Sequence, residues 1–306
     1  MLITVLTPTF NRGYAIGKLF ESLCMQSKKS FEWVIVDDGS TDNTGELVKD
    51  FQNRSSFPIR YYFKDNGGKH TAVNFGAKQV KGDYTFIVDS DDRLAPNAIE
   101  VIEHYINTVK DNSKFAGVVG LRCNSNNQTW MGFGNAGQHI AVEQQEILEK
   151  EYIDATSWEY RNKYKISGDR AEVLKTSILL DHPFPVFEGE KFLSEVALWS
   201  LLGDEGYLFR WFNEKIYITE YLADGLSKNI KRYCLLSPKG TAYTANIALK
   251  EENLSLGDKL RLCIRYYRYG HLAGYRYMDM FWKCNNKLFS IVCLPCAFFL
   301  PLTSQH

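Results

Sequence analysis

The sequence predicts an α/β fold, a mostly parallel sheet with flanking helices, followed by a helical C-terminal extension. Three observations carry this. Short apolar runs rich in β-formers alternate with segments of helical spacing. The ends of those runs collect small, polar and acidic residues. Beyond residue 225 the strand signals give way to basic, aromatic and apolar stretches.

Strand-like runs fall at Leu2–Leu6, Glu32–Val36, Ile59–Phe63, Tyr84–Val88 and Phe115–Leu121. Between the first two, Ile16, Leu19, Phe20 and Leu23 repeat at helical spacing. A second helix is predicted over Val73–Val80, and a third carries Ile99, Ile102, Tyr105 and Ile106. Residues 122–165 are polar, and Gly132, Gly134 and Gly137 suggest a long loop or irregular hairpin there. The stretch SGDRAEVLKTSILL reads as a helix opened by Gly168 and Asp169 and carrying Val173, Leu174, Ser177 and Ile178.

Composition limits the function classes. Lys plus Arg and Asp plus Glu balance at 36 each, so no global field recruits nucleic acid, and no nucleic-acid partner is expected. With 45% hydrophobic residues the chain can build a substantial core. Seven scattered cysteines do not form a disulfide framework and suit a reducing compartment. Cys293 and Cys296 lack further zinc ligands at suitable spacing and read as small apolar residues. MLITVLTPTFNR reads as a first strand rather than a signal segment, so a cytoplasmic chain is expected.

In α/β sheets ligands bind beyond the carboxyl ends of the strands, at a topological switch point. Here the first strand runs into Thr7-Pro8-Thr9-Phe10-Asn11-Arg12 and the second into Asp37-Asp38-Gly39-Ser40-Thr41-Asp42. The third is followed by Asp65-Asn66-Gly67-Gly68-Lys69-His70, and the fourth by Asp89-Ser90-Asp91-Asp92. No GxGxxG or P-loop pattern is present, which argues against dinucleotide and P-loop folds. Each stretch also has a plain reading as a turn or helix cap. Lys69 at a helix start would meet a phosphate with its charge and the local N–H groups. Three crowded carboxylates repel one another unless a cation sits among them, and Mg2+ or Mn2+ prefers such hard oxygen ligands.

The order PTFNR, VDDGSTD, NGGKHTAVNFGAKQVKGDY and FIVDSDD resembles the family-2 glycosyltransferases of the GT-A fold, closely over residues 1–110. The resemblance implies a nucleotide-diphosphate sugar donor (a UDP-sugar favoured), a divalent cation on a DxD pair, and inversion at the anomeric carbon. Carried across, Pro8, Thr9, Asn11 and Arg12 line the nucleotide pocket, and Asp38 with Asp37 binds uracil or ribose. Lys69 lies near the base or diphosphate, and Asp89 and Asp91 form the DxD that holds Mn2+ or Mg2+. The expected organisation is a GT-A domain over 1–225, with a nucleotide-sugar half (1–110) and an acceptor half (111–225). Residues 226–306 form the extension.

Inversion by single displacement needs a base for the acceptor hydroxyl, and the cation sits with the leaving group instead. Candidates lie in FEGEKFLSEVALWSLLGDEGY. Family members often carry Glu-Asp followed by Leu and a basic residue here, whereas this chain reads Ser194-Glu195-Val196-Ala197-Leu198-Trp199. On a helix, Phe192, Val196 and Trp199 share an apolar face with Glu195 at its border. Glu195 is the first candidate and Glu190 the second. Asp169 and Arg170 are further candidates for a donor or acceptor contact, with helix capping as the plain alternative for Asp169. The aromatics Trp130, Tyr152, Trp158, Tyr160 and Tyr164 suit either sugar stacking or core packing.

From Gly257 to Lys287 there are seven basic and two acidic residues, with Arg261, Arg265 and Arg268 on one helical face and aromatics interleaved. The apolar run LFSIVCLPCAFFLPL that follows is too short and too interrupted by Pro295 and Pro301 to span a bilayer. The pattern predicts peripheral contact with the inner face of the plasma membrane and a saccharide or lipid-linked saccharide acceptor, as in surface polysaccharide synthesis. Two alternatives compete. A sugar nucleotidyltransferase would need a glycine- and arginine-rich first loop, which TPTFNRGYAIG matches poorly. A non-catalytic nucleotide-sugar-binding module would lack turnover.

Overall fold

The computed structural model of the chain describes residues 1–126, 149–166, 168–220 and 227–297. The stretch holding Trp130, Gly132, Gly134 and Gly137, and the YLADGL stretch from Tyr221, lie outside those residues. Two compact units are present. The first comprises Met1–Pro183 with Gly206–Ala223, and the second Phe184–Glu205 with Asp224–His306.

The first unit is an α/β sheet. Its strands are β1 (Ile3–Thr9), β2 (Phe31–Asp37), β3 (Ile59–Phe63), β4 (Tyr84–Ile87), β5 (Arg93–Leu94), β6 (Phe115–Cys123), β7 (Tyr152–Ala155), β8 (Arg170–Lys175) and β9 (Leu208–Ile218). They follow the order β3-β2-β1-β4-β8-β6-β9-β5, with β7 pairing on β9. The run β3-β2-β1-β4 is parallel, as expected. Beyond it the sheet is mixed, because β8 runs antiparallel between β4 and β6. Since β6 pairs parallel with β9, the carboxyl ends of β4, β6 and β9 all reach the rim formed by those of β1 and β2.

The helices α1 (Ile16–Cys24), α2 (Thr44–Arg54), α3 (Lys69–Ala77), α4 (Ala98–Val109) and α5 (Thr176–Asp181) flank the sheet. Helix α1 buries Ile16, Leu19, Phe20 and Leu23, the four residues whose spacing predicted it. Phe20 stacks on Phe51 of α2 with ring centroids 4.3 Å apart, and both rings stack on Trp33 of β2. In α4, Ile99, Ile102, Tyr105 and Ile106 are buried as expected. Helix α3 begins at Lys69, four residues before its predicted start, because Gly68 with φ 96° turns the chain directly into the first helical turn.

One expectation is corrected. SGDRAEVLKTSILL is not a single helix: residues 170–175 form β8, and the helix begins only at Thr176. Strand β8 lies inside the sheet and is covered on both faces, so its apolar residues do not alternate. A short run of that kind cannot be told from a buried helix by periodicity.

The second unit is helical: α6 (Val196–Asp204), α7 (Ile230–Leu236), α8 (Pro238–Ala248), α9 (Leu256–Leu272), α10 (Tyr277–Lys283) and α11 (Lys287–Ala297). Residues 184–205, expected in the acceptor half, group with these helices. Their core joins Ala242, Ala245 and Leu249 to Cys263, Tyr266, Tyr267, Met280, Cys284 and Cys293. Tyr266 and Tyr267 are therefore core aromatics, and Cys293 is a small buried residue as expected; the Cys296 side chain lies outside the described residues. Among the described residues no helix is long and apolar enough to cross a membrane.

Candidate active site

Strand β1 has β2 on one side and β4 on the other, so the strand order reverses between β1 and β4. The crevice that such a reversal opens lies at the ends of exactly those strands that carry the PTFNR and DSDD loops. Hydrogen bonds then tie PTFNR to the loop after β2. Asn11 adopts a left-handed conformation (φ 51°); its N–H donates to Ser40 Oγ at 2.8 Å, and its Oδ1 accepts from the Thr41 N–H at 2.8 Å. The Arg12 N–H donates to Thr44 Oγ1 at 3.2 Å, and the Gly13 N–H to Asp42 at 3.0 Å. Pro8 is within β1, opposite Val36. Thr9 is buried, and its hydroxyl has no hydrogen-bond partner among the described residues.

Asp37 and Asp38 are both buried and both engaged by the protein. Asp37 accepts from the Ser40 N–H at 2.7 Å and from the Tyr61 hydroxyl at 2.6 Å. Asp38 accepts from Lys64 Nζ (2.6 Å), the N–H groups of Gly67 (3.0 Å) and Gly68 (2.7 Å), and Asn66 Nδ2 (3.2 Å). An ionised carboxylate offers about four lone-pair sites. Asp38 has filled them, and it shapes the glycine loop that delivers Lys69. Gly39 is constrained by the same closeness: with φ 87°, a Cβ there would sit 2.9 Å from the Asn66 nitrogen. In this structure both carboxylates support the loops around the switch point.

Each carboxylate of the DSDD loop faces a different cation. Lys69 Nζ lies 2.5 Å from Asp89 Oδ1, Arg12 Nε 3.9 Å from Asp91, and Arg122 Nη1 3.9 Å from Asp92. Burial alone would raise the Asp89 pKa, but the charges of Lys69 and Arg122 outweigh it and hold the carboxyl below its usual range. Asp91 is raised by burial and then by the charge of Asp89. Asp92 is pushed up to about 7 by burial and again by Asp89.

The wall behind this loop is made of residues that no motif marked. Tyr217, fully buried in β9, accepts a hydrogen bond from the Asp89 N–H at 2.9 Å and is hydrogen-bonded to the Asp92 carboxylate. Arg122 of β6 stacks on the Tyr217 ring with its guanidinium carbon 4.1 Å from the centroid, and its Nε donates to the Arg170 carbonyl at 2.6 Å. Asp92 also accepts from the Glu220 N–H at 3.1 Å. Of the aromatics considered for sugar stacking, Tyr160 is buried and stacks on Trp211 at 3.7 Å, a packing role; Arg170 lies over the same Tyr160 ring. Tyr152 stacks under Arg210.

The two candidate bases lie in the second unit. Glu190 is buried, and its two oxygens accept from the N–H groups of Lys239 and Gly240, each at 2.8 Å. It closes the first turn of α8, which begins at Pro238. Glu195 is half-buried and immediately precedes α6. The expected face of Phe192, Val196 and Trp199 is corrected. The helix starts at Val196, which is exposed, and buries Ala197, Leu198 and Leu202. Phe192 precedes the helix; its N–H bonds Ser237 and its ring stacks on Tyr233.

A sheet reversing at β1 and β4, with carboxylates and a helix-starting lysine at that reversal, is the arrangement of the GT-A fold class. The chain belongs to glycosyl transferase family 2, whose profile matches residues 4–163. Over 299 residues it is 27% identical to a GalNAc(5)-diNAcBac-PP-undecaprenol β-1,3-glucosyltransferase of Campylobacter jejuni, covering 94% of this chain and 88% of that protein. It is 31% identical over 161 residues to the glycosyltransferase GlyG of Streptococcus pneumoniae, covering 53% of this chain and 52% of GlyG. A Mycoplasma pneumoniae glycosyltransferase of uncharacterized role is 34% identical over 110 residues, covering 35% of this chain and 37% of its own length. The chain thus spans about half or less of these last two relatives. Among solved structures, residues 1–349 of Staphylococcus aureus TarS with UDP-GlcNAc superpose with a TM-score of 0.54 at 17% identity, covering 98% of this chain and 92% of that one. A mannosyltransferase of Pyrobaculum calidifontis with GDP-Man and Mn2+ also gives a TM-score of 0.54, at 15% identity, covering 98% of this chain and 75% of that one.

Proposed function

We propose that this glycosyltransferase moves a sugar, with inversion, from a nucleoside-diphosphate sugar to a hydroxyl acceptor, with Mn2+ or Mg2+ on Asp89 and Asp91. The observation that carries this reading is the convergence of Asp89, Asp91, Lys69 and Arg12 at the switch point. The residues fit such a cation: their hard oxygens suit it, and the carboxylates already require positive charge beside them. Among the described residues no three His, Cys, Asp or Glu side chains form a ready cage; Asp89 and Asp91 would hold the cation together with oxygens of the donor's phosphates. When bound, the cation supplies charge neutralisation for the leaving diphosphate.

The chain's own groups do the rest. Pro8, Thr9, Asn11 and Arg12 line the nucleotide side, at the carboxyl end of β1. Asp37 and Asp38 hold the loops that deliver Lys69. Glu195 is the proposed base, because both oxygens of Glu190 are taken up by helix α8. UDP-sugars are the first donors to try, in line with TarS, and GDP-sugars the second, in line with the archaeal mannosyltransferase.

A lipid-linked saccharide is the proposed acceptor, supported by the Campylobacter relative, whose name contains a pyrophosphoryl-undecaprenol acceptor. Peripheral contact with an anionic inner membrane face is proposed from α10 and α11. There Met278, Trp282, Leu288, Ile291 and Val292 are exposed beside Arg276, Lys283 and Lys287. The test is release of nucleoside diphosphate from UDP- and GDP-sugars with Mn2+, with an undecaprenyl-diphosphate saccharide as acceptor. The absence of both turnover and binding across that panel would overturn the reading.

A further inference from the structure

The three ion pairs of the DSDD loop are not equivalent. Asp92 is buried and Arg122 largely covered, with side chains 4% and 15% exposed, and Arg122 is fixed between Tyr217 and the Arg170 carbonyl. Arg12 reaches Asp91 only at 3.9 Å. Lys69 and Asp89 are in direct contact at 2.5 Å, yet their side chains are 27% and 30% exposed. The tightest pair is therefore the one that solvent and ligands can reach.

Lys69 also sits at an awkward place for a cation. It is the first residue of α3, where the helix dipole favours negative charge by about 0.3–1 kcal/mol and the Asp38 carboxylate already accepts from the Gly67 and Gly68 N–H groups. Asp89 offsets that disadvantage. If Asp89 takes another cation, the ammonium loses its close carboxylate partner and can turn to another anion. A lysine suits such an exchange, because its point charge moves on a flexible four-carbon stem whereas an arginine fork is bound to one geometry.

We propose that Lys69 is a tethered stand-in for the donor's divalent cation, paired with Asp89 in the donor-free protein and transferred to the donor's diphosphate when that cation takes the carboxylate. This rests on the donor and metal reading above and adds a coupling to it. Lys69 competes with free Mn2+ for Asp89, so the metal alone binds weakly. A nucleoside diphosphate gives Lys69 a new partner and removes the competition. Metal and nucleotide then favour one another by more than their direct contact supplies, and by linkage the effect is reciprocal.

The test compares wild type with Lys69→Met and Lys69→Arg. Free Mn2+ is measured by electron paramagnetic resonance with and without UDP, and UDP binding by calorimetry. Lys69→Met should bind Mn2+ alone about fivefold more tightly or better, and UDP more weakly, so that the enhancement of Mn2+ binding by UDP shrinks. Lys69→Arg should keep the weak binding of Mn2+ alone. A merely structural lysine would give the opposite sign, since a damaged site loses metal affinity. Unchanged or weaker Mn2+ binding in Lys69→Met overturns the exchange; Lys69→Gln is read the same way if the Met variant does not fold. If Asp89→Asn leaves Mn2+ binding with UDP unchanged, the metal reading of the loop fails instead.

Discussion

The backbone N–H of Asp89 donates to the hydroxyl of Tyr217 at 2.9 Å, across a separation of 128 residues. Asp89 lies two residues beyond the fourth strand and Tyr217 near the end of the ninth. The Tyr217 hydroxyl is also hydrogen-bonded to Asp92, so one buried phenol fixes both ends of the carboxylate loop. Its pKa is raised well above the usual tyrosine value by burial and by the charges of Asp92 and Asp89, so it stays a neutral donor at any working pH.

Tyr217→Phe should therefore keep the fold and loosen the loop. The Asp89 N–H and the Asp92 carboxylate would each lose a partner, at roughly 1–3 kcal/mol for a buried group left unsatisfied. The expected result is a lower thermal midpoint and at least about tenfold weaker UDP binding in the presence of Mn2+, which corresponds to roughly 1.4 kcal/mol. Unaltered binding with a lowered midpoint would limit Tyr217 to stability.

Asp91→Ala should abolish the Mn2+-dependent part of donor binding while leaving the circular dichroism spectrum unchanged. Asp91 pairs with Arg12 at a loose 3.9 Å, so its removal leaves no tightly held cation unpaired. Chelating the metal from wild-type protein should reproduce the variant. A variant whose binding still responds to Mn2+ would identify the loop as a turn alone.

The two glutamates of the helical unit should separate cleanly. Glu190→Gln keeps one acceptor oxygen where two N–H groups of α8 now find one each, so it should lower the thermal midpoint, at a cost of about 0.5–2 kcal/mol for a weakened cap. Glu195→Gln should leave folding and UDP binding intact and lose transfer. Full transfer in Glu195→Gln would remove it as the base.

Glu32 offers a test of fold stability that does not involve the site. It accepts from Thr4 Oγ1 (2.7 Å), from Arg60 Nη2 (2.6 Å) and from the Lys81 N–H (2.7 Å), joining β1, β2, β3 and the turn before β4. Burial alone would raise its pKa, but those donors together lower it from 4.5. A lowered folded-state pKa means the stabilisation is complete above the unfolded value and is lost as pH falls through the folded one. Unfolding midpoints of wild type should thus fall below about pH 4.5 partly through Glu32, and Glu32→Gln should flatten that dependence. At neutral pH the substitution should cost about 3 kcal/mol, toward the lower end for a broken buried pair because Arg60 is partly exposed.

Trp282→Glu with Ile291→Glu should weaken sedimentation with phosphatidylglycerol vesicles, since Trp282 is 69% exposed and Ile291 60%. Wild-type binding should also fall as salt rises, each nearby Lys or Arg contributing about 1 kcal/mol at low ionic strength. Equal binding by the double variant would remove α10 and α11 as the membrane face.

By itself the sequence determined the alternation of strands and helices, the buried faces of α1 and α4, and the four strand ends that carry PTFNR, DDGSTD, NGGKH and DSDD. These are local properties: an apolar period or a turn residue reports on its own few neighbours. Only the tertiary structure decided what those loops meet. It turned residues 170–175 into a strand, because a run buried on both faces loses the period that separates strand from helix. It filled the four acceptor sites of Asp38 and the two oxygens of Glu190 with backbone N–H groups and neighbouring side chains. It also brought Arg122 and Tyr217 behind Asp89 and Asp92 from strands far along the chain. Such contacts are set by strand order and register, which no short stretch of sequence contains.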